Sequence, residues 1–225
     1  MATRPADARL PHSGSFGAER FIALWQRCID SPPSPQPHAV FARLADELSA
    51  PGRHYHNLGH IRDCLQRLDA VRTLIAQPDA VELGLWFHDV LLTPGAIDNE
   101  RRSAVLFVSL AAGARNGLRA TVARMILATR HHRRQHGDRG FIVDIDLAGL
   151  AAPWDEFMHT GDLLREEFAQ QGDAAYYRGQ VGFLKSLLAR RTLFATPHFR
   201  DRCEAAARAN LQRLLALRAA QGHGP

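Results

Sequence analysis

The residues able to do chemistry come in short groups separated by helix-length intervals. "YHNLGHI" (55–61) holds His56 and His60, "WFHDVLL" (86–92) holds the dipeptide His88-Asp89, "RHHRRQH" (130–136) holds His131, His132 and His136, and "DID" (144–146) holds Asp144 and Asp146. Imidazole nitrogens mixed with carboxylate oxygens bind Zn, Mn, Fe or Ni at neutral pH and leave coordination positions open for water. A lone histidine on an apolar face is more often a core side chain than a ligand, but groups on successive helices point to one shared site. His60 falls about one turn into a helix, where its ring can reach inward. His56 precedes the helix start, on the same side and further out, so the pair suggests one metal ligand and one proton donor.

The elements that must position these groups are helical. Apolar residues recur at three-to-four spacing and strand signals are nearly absent, so the chain reads as all-α. Helices are expected over 17–30, 38–49, 57–76, 79–89, 98–112, 117–132, 143–151, 154–170, 173–190 and 197–220. "SPPSPQP" (31–37) cannot continue a helix, because proline lacks an amide donor and disfavours helical geometry in the residue before it. It is expected to be a stiff connector. Residues 1–37 thus form an N-terminal segment with the first helix and connector, and 38–225 a helical metal-binding domain, the whole being one globular unit.

In "QPDAVELGLWFHDV", Pro78 and Asp79 open a helix whose apolar face carries Leu83, Trp86, Phe87 and Val90, so His88 and Asp89 end a buried helix. Asn57 is placed to cap the helix that carries His60. The alanine- and leucine-rich C-terminal helix is expected to pack on the bundle or on a second copy in a homodimer.

Bulk composition narrows the class. Hydrophobic residues at 46% and charged residues at 23% suit a globular protein rather than a disordered or fibrous one. No apolar run approaches about 18 residues, and the first residues lack a signal-peptide core, so a cytoplasmic protein without membrane association is expected. Cys28, Cys64 and Cys203 are isolated and read as buried, reduced thiols. The formal charge of +5 comes from scattered arginines, Lys185 being the only lysine. Without a basic stripe, nucleic acid is not the expected partner, and a small phosphorylated molecule fits the same charge.

The order His60, His88-Asp89, Asp146 resembles the H…HD…D signature of the HD-domain superfamily of metal-dependent phosphohydrolases. Further stretches resemble the cyclic nucleotide phosphodiesterases of that superfamily. "YHNLGH" is similar to their Y-H-N-x-x-H motif, "ILATRHH" to their Ala-Thr…His helix, and "DIDLAGL" to their A-D-L-S segment. "REEFAQQGD" and "GQVGFL" are similar to E-F-x-x-Q-G-D and Q-V-G-F, in the same order. Smaller bacterial HD proteins known as predicted metal-dependent phosphohydrolases are similar overall, with "NERRSA" as a further mark. The resemblance spans residues 53–211, and the chain is far shorter than a phosphodiesterase catalytic domain, so its pocket needs fewer walls.

That resemblance implies an HD-type helical bundle with His60, His88, Asp89 and Asp146 on a first divalent metal ion (Mn, Mg, Zn, Fe, Ni or Co). Asp89 would bridge to a second ion. It implies hydrolysis of a phosphate ester, of a nucleotide or another small molecule, by a metal-activated hydroxide. His56 would protonate the leaving oxygen, with Glu100 or Asp98 as its neighbouring carboxylate. His132 would bind the second ion or a phosphate oxygen. From their position beside these segments rather than from the resemblance, Arg130, ahead of Arg101, Arg102 and Arg133, reads as a phosphate-gripping fork or as a solvated helix side chain. Gln180 and Phe183 match by position the residues that hold a purine in the phosphodiesterases. On the residues alone they read equally as a surface amide and a core ring. Asp144 is expected to point elsewhere than Asp146. Two other readings stay open: a non-catalytic HD bundle that senses a nucleotide or metal, and a di-iron HD-type oxygenase.

Overall fold

The most apolar stretch of the chain becomes its centre. In a computed structural model that describes residues 17–30, 35–115, 117–130 and 132–223, helix α4 (Pro78–Phe87) is buried on every side from Ala80 onward. The sequence assigned it one apolar face. Glu82 shares the burial, and its two oxygens accept from Arg20 and Arg72 at 2.6 Å each, so the charge enters the core already paired.

Around α4 stand α1 (Ala18–Cys28), α2 (Pro37–Leu48), α3 (Leu58–Val71), α5 (Asn99–Leu110), α6 (Leu118–Thr129) and α7 (Asp138–Leu147). After them come α8 (Trp154–Glu167), α9 (Asp173–Leu188) and α10 (Pro197–Ala220). Short 3₁₀ turns cover Arg72–Leu74 and Ala148–Ala151, and the described residues contain no strand beyond an isolated bridge between Ile29 and Ala114. The class is all-α. No described helix is long and apolar enough to cross a membrane. The predicted first helix belongs to this core. Phe21 and Trp25 pack on Trp86 and Phe87, with ring centroids 5.4 to 6.3 Å apart. Residues 31–34 of the connector and His131 lie outside the described residues.

Three packing details decide where the chemical groups end up. At Gly84 a Cβ would lie 2.7 Å from Ile142 Cδ1 and 3.3 Å from Met125 Cβ, so only glycine lets α4 approach α7 and α6 this closely. Helix α7 starts at Asp138 rather than 143, because the Asp138 carboxylate accepts from the amides of Ala76 and Gln77 and ties its first turn to the start of α4. Helix α10 runs along α9 and the Ala148–Ala151 turn, where Asn210 donates to the carbonyls of Leu150 and Ala152 at 2.9 and 2.8 Å. Of the three free cysteines, Cys28 and Cys64 are buried and Cys203 is half-buried.

Candidate metal centre

Each chemical group sits at a helix position fixed by a local rule. Asn57 caps α3, its side chain accepting from the Gly59 amide at 2.7 Å. That starts the helix where His60 turns inward and leaves His56 on the preceding loop. His88 is the C-cap of α4 and Asp89 follows it. Asp146 lies in the last turn of α7. The loop and the end of α4 are clamped together by Arg53, which donates to the carbonyls of His56, Asp89 and Val90 at 3.0, 2.7 and 2.7 Å.

His60, His88, Asp89 and Asp146 converge, one ligand atom from each lying within 4.8 Å of all the others. His60 Nε2 is 3.3 Å from His88 Nε2 and 3.3 Å from Asp146 Oδ1, and His88 Nε2 is 2.9 Å from Asp89 Oδ2. Ligand bonds of about 2.0–2.2 Å to one ion leave neighbouring donor atoms roughly 3.0–3.5 Å apart. The donor set therefore fits a single ion with little rearrangement. Nδ1 of His88 lies 2.9 Å from the Leu85 carbonyl, which can only accept; Nδ1 thus carries a proton in either charge state of the ring, and Nε2 is the nitrogen that faces the cluster. The imidazole side chains are sealed at 2% and 1% exposure, while Asp89 and Asp146 are 15% and 11% exposed, so the group opens on its carboxylate side.

The electrostatics show what a cation would replace. Burial would lower the His88 pKa, but the Asp89 and Asp146 carboxylates outweigh it and hold the proton on well above the ordinary histidine range. Burial likewise would raise Asp146; His88 and the hydrogen bonds from His132, His60 and His88 hold it well below the usual carboxylate range. Asp89 is lowered in the same way by His88 and His56. Two anions with protonated imidazoles among them leave a centre that a divalent ion can enter by displacing protons.

The carboxylate side faces a cavity of about 490 Å³. His56 lines it beside the cluster, its Nε2 3.9 Å from Asp89 Oδ2 and its Nδ1 in a short hydrogen bond with Glu167. Glu167 also accepts from the Tyr55 and His56 amides at 3.1 and 3.0 Å. Burial alone would raise its pKa, but His56 and these amides outweigh it and hold the carboxyl below its ordinary value. Glu167 is ionised, so Nδ1 donates and Nε2 of His56 is the atom turned to the cavity. The carboxylate at His56 is thus neither Glu100 nor Asp98. Glu100 lines the cavity wall, and Asp98 accepts from Arg101.

His132 joins the group from outside, its Nε2 3.0 Å from the second oxygen of Asp146. Its φ of 46° is a left-handed conformation that a non-glycine residue adopts at a cost, and Arg190 holds its carbonyl in a short hydrogen bond. Phe183 lines the cavity with its ring 6.0 Å from His132, and Gln180 lines it one turn away on α9. Arg130, Arg101 and Arg133 are exposed and absent from the lining, and Arg102, half-buried, is also absent from it and donates to the Thr93 hydroxyl. Asp144 turns away, accepting from the Ala195 and Thr196 amides and the Thr196 hydroxyl.

Sequence reasoning missed Glu167 and Arg53. Glu167 stands inside "REEFAQQGD", a stretch singled out without a role for its acid; for Arg53 no local signal exists. Comparison with protein-family models, curated proteins and solved structures yields no match.

Proposed function

We propose that this chain is a metal-dependent phosphohydrolase built on an HD-type helical bundle, acting on the phosphate ester of a small molecule. The observation that carries the reading is the convergence of His60, His88, Asp89 and Asp146 within 4.8 Å, open on one side to a cavity of small-molecule size.

A divalent ion held by these four residues supplies Lewis acidity toward a phosphoryl oxygen and a nucleophile drawn from water at neutral pH. The remaining work belongs to the chain. His56 holds a proton at Nε2 toward the cavity and delivers it to the departing ester oxygen, which leaves faster as an alcohol than as an alkoxide. Glu167 fixes the ring by accepting from Nδ1 and stabilises the imidazolium before the proton is given up. Arg53 keeps the His56 loop at a set distance from Asp89 through their backbone carbonyls. A braced proton donor beside the cluster favours turnover over a purely sensing bundle. Asp89 and His132 are the residues that would hold a second ion, and Gln180 with Phe183 would contact the organic part of the substrate.

The first test is metal content by plasma mass spectrometry, on protein purified without chelator or affinity tag, for wild type and Asp89→Ala. The expected result is one or two equivalents in wild type, lost in the variant. Phosphate release from a panel of monoesters and cyclic diesters with the identified ion should then depend on His56. Failure of wild type to take up any of the divalent metals Mn, Mg, Zn, Fe, Ni or Co, even after reconstitution, would sink the mechanism. Metal uptake without turnover of any ester would leave a sensing module, and dioxygen consumption would favour the di-iron reading.

A further inference from the structure

The cavity extends away from the His/Asp cluster between α8, α9 and α10, and along most of that length its wall is apolar, with Leu150, Phe157, Leu164 and Leu214 among the lining residues. Arg218 is the one arginine or lysine in the lining, and it is only 9% exposed. Among the described residues it pairs with no carboxylate. Its Nε donates to Gln180 Oε1 at 2.7 Å, its Nη1 donates to Gln221 Oε1 at 2.7 Å, and the guanidinium lies 4.5 Å from the Tyr177 ring centroid. Glu100, the lining carboxylate outside the cluster, makes no ion pair with it. A guanidinium this deeply desolvated and offset only by neutral oxygens and a ring leaves an excess of positive charge facing the cavity.

The hydrogen-bond inventory sharpens the point. Arginine can only donate, so Gln180 must turn its oxygen to Arg218 and is left with its amide NH₂ as a further donor. Nη2 of Arg218 bonds to no described residue. This end of the cavity therefore presents unspent donors, Nη2 of Arg218 and the Gln180 amide, with the Tyr176 hydroxyl beside them able to donate as well. The edge of a nucleobase alternates donors and acceptors and matches such a wall poorly; the oxygens of a carboxylate or phosphate are all acceptors and match it on every atom. The position is removed from the cluster. Asn210 ties α10 to the Ala148–Ala151 turn, and Arg218 lies eight residues beyond it, about 12 Å along the helix axis.

We infer that Arg218 and Gln180 form an anion-binding end of the cavity, and that the substrate carries a second acidic group on the far side of a largely apolar body. This rests on the phosphohydrolase reading for the first acidic group. The substrate class is a phosphate ester with a carboxylate or a second phosphate.

The test is calorimetric binding of three probes to the full chain loaded with Mn²⁺: benzylphosphonate, 4-(phosphonomethyl)benzoate and p-xylylene diphosphonate. Wild type should bind at least one of the two diacids about 10- to 100-fold more tightly than benzylphosphonate. The tighter diacid tells whether the second group is a carboxylate or a phosphate. Arg218→Met should abolish that preference while keeping benzylphosphonate at wild-type affinity, which also shows that the variant is folded. If Arg218→Met loses benzylphosphonate as well, Arg218→Lys takes its place. It keeps the charge without the fork and must reduce the preference alone. Equal binding of all three probes by wild type, or a preference that survives loss of the guanidinium, overturns the inference and leaves the phosphohydrolase reading standing. Arg218-dependent binding of a diacid with no binding of benzylphosphonate supports the anion-binding end and overturns the phosphoryl reading. Binding of none overturns both.

Discussion

Asp144 and Asp146 stand two residues apart on α7 and should fail in opposite ways. Asp144 is fully buried and accepts three hydrogen bonds, from the Ala195 amide at 2.8 Å and from the Thr196 amide and hydroxyl at 2.7 Å each. Burial raises its carboxyl pKa against these bonds, so desolvation offsets part of their strength. The figure for an ordinary hydrogen bond, about 1 kcal/mol net, therefore applies rather than the larger charge-assisted one. Asp144→Ala should cost about 3 kcal/mol in all, and at 2–4 °C per kcal/mol for a chain of this size the melting temperature should fall by roughly 6–12 °C. Asp146→Ala removes a ligand atom and should abolish metal binding. Melting is followed by circular dichroism in excess chelator, so that bound metal does not add to the stability, and metal content is measured after reconstitution with Mn²⁺. The assignment of the two faces of α7 is refuted if Asp144→Ala melts with wild type and comes without metal, or if Asp146→Ala retains its full equivalent.

Three further outcomes follow from the same geometry. Metal binding near neutral pH should displace protons from the His88 imidazolium, so titrations with Mn²⁺ in buffers of different ionisation enthalpy should differ in heat, and affinity should rise with pH; identical heats would show that the ring is already neutral. That charge also stabilises the metal-free fold below its unfolded value of 6.5, and the contribution is lost as pH climbs through the raised folded value. Chelated protein should accordingly melt lower at about pH 9 than at pH 7. Glu167→Gln should keep its metal and lose on the order of 10²-fold in turnover, the proton donor being present but no longer held; loss of metal instead would make Glu167 part of the metal site. Gly84→Ala forces a methyl against Ile142 and Met125 and should cost about 1–3 kcal/mol. Because α4 carries His88 and Asp89, the substitution should also weaken metal uptake, and unchanged affinity would show that the end of α4 moves independently of its middle.

The sequence by itself was enough for the parts that depend on local rules. Apolar spacing places the helices, the prolines after Gln77 and Thr196 place two helix starts, and Asn57 marks a third. The ligand-type residues were legible as short groups on successive helices, and the selection of His60, His88, Asp89 and Asp146 from those groups rested on the resemblance to the H…HD…D signature. The choice of Asp146 over Asp144 rested on the match to a known segment; the geometry adds that Asp144 is committed to residues 195 and 196.

Tertiary structure alone decided which faces meet. Glu167 reaches His56 from 111 residues away, and neither residue's neighbours in the chain record the other. The start of α7 at Asp138 depends on amides of Ala76 and Gln77, so a stretch that reads as a polar loop becomes a helical turn. Arg130 has the charge and the position in sequence for a phosphate grip, yet its direction around the helix axis leads to solvent. Arg218 looks like any arginine on an amphipathic helix until α9 brings Gln180 against it. Periodicity tells how a side chain is oriented about its own helix axis; the partner across the gap is set by how side-chain volumes fit between helices, and that information is spread over the whole core.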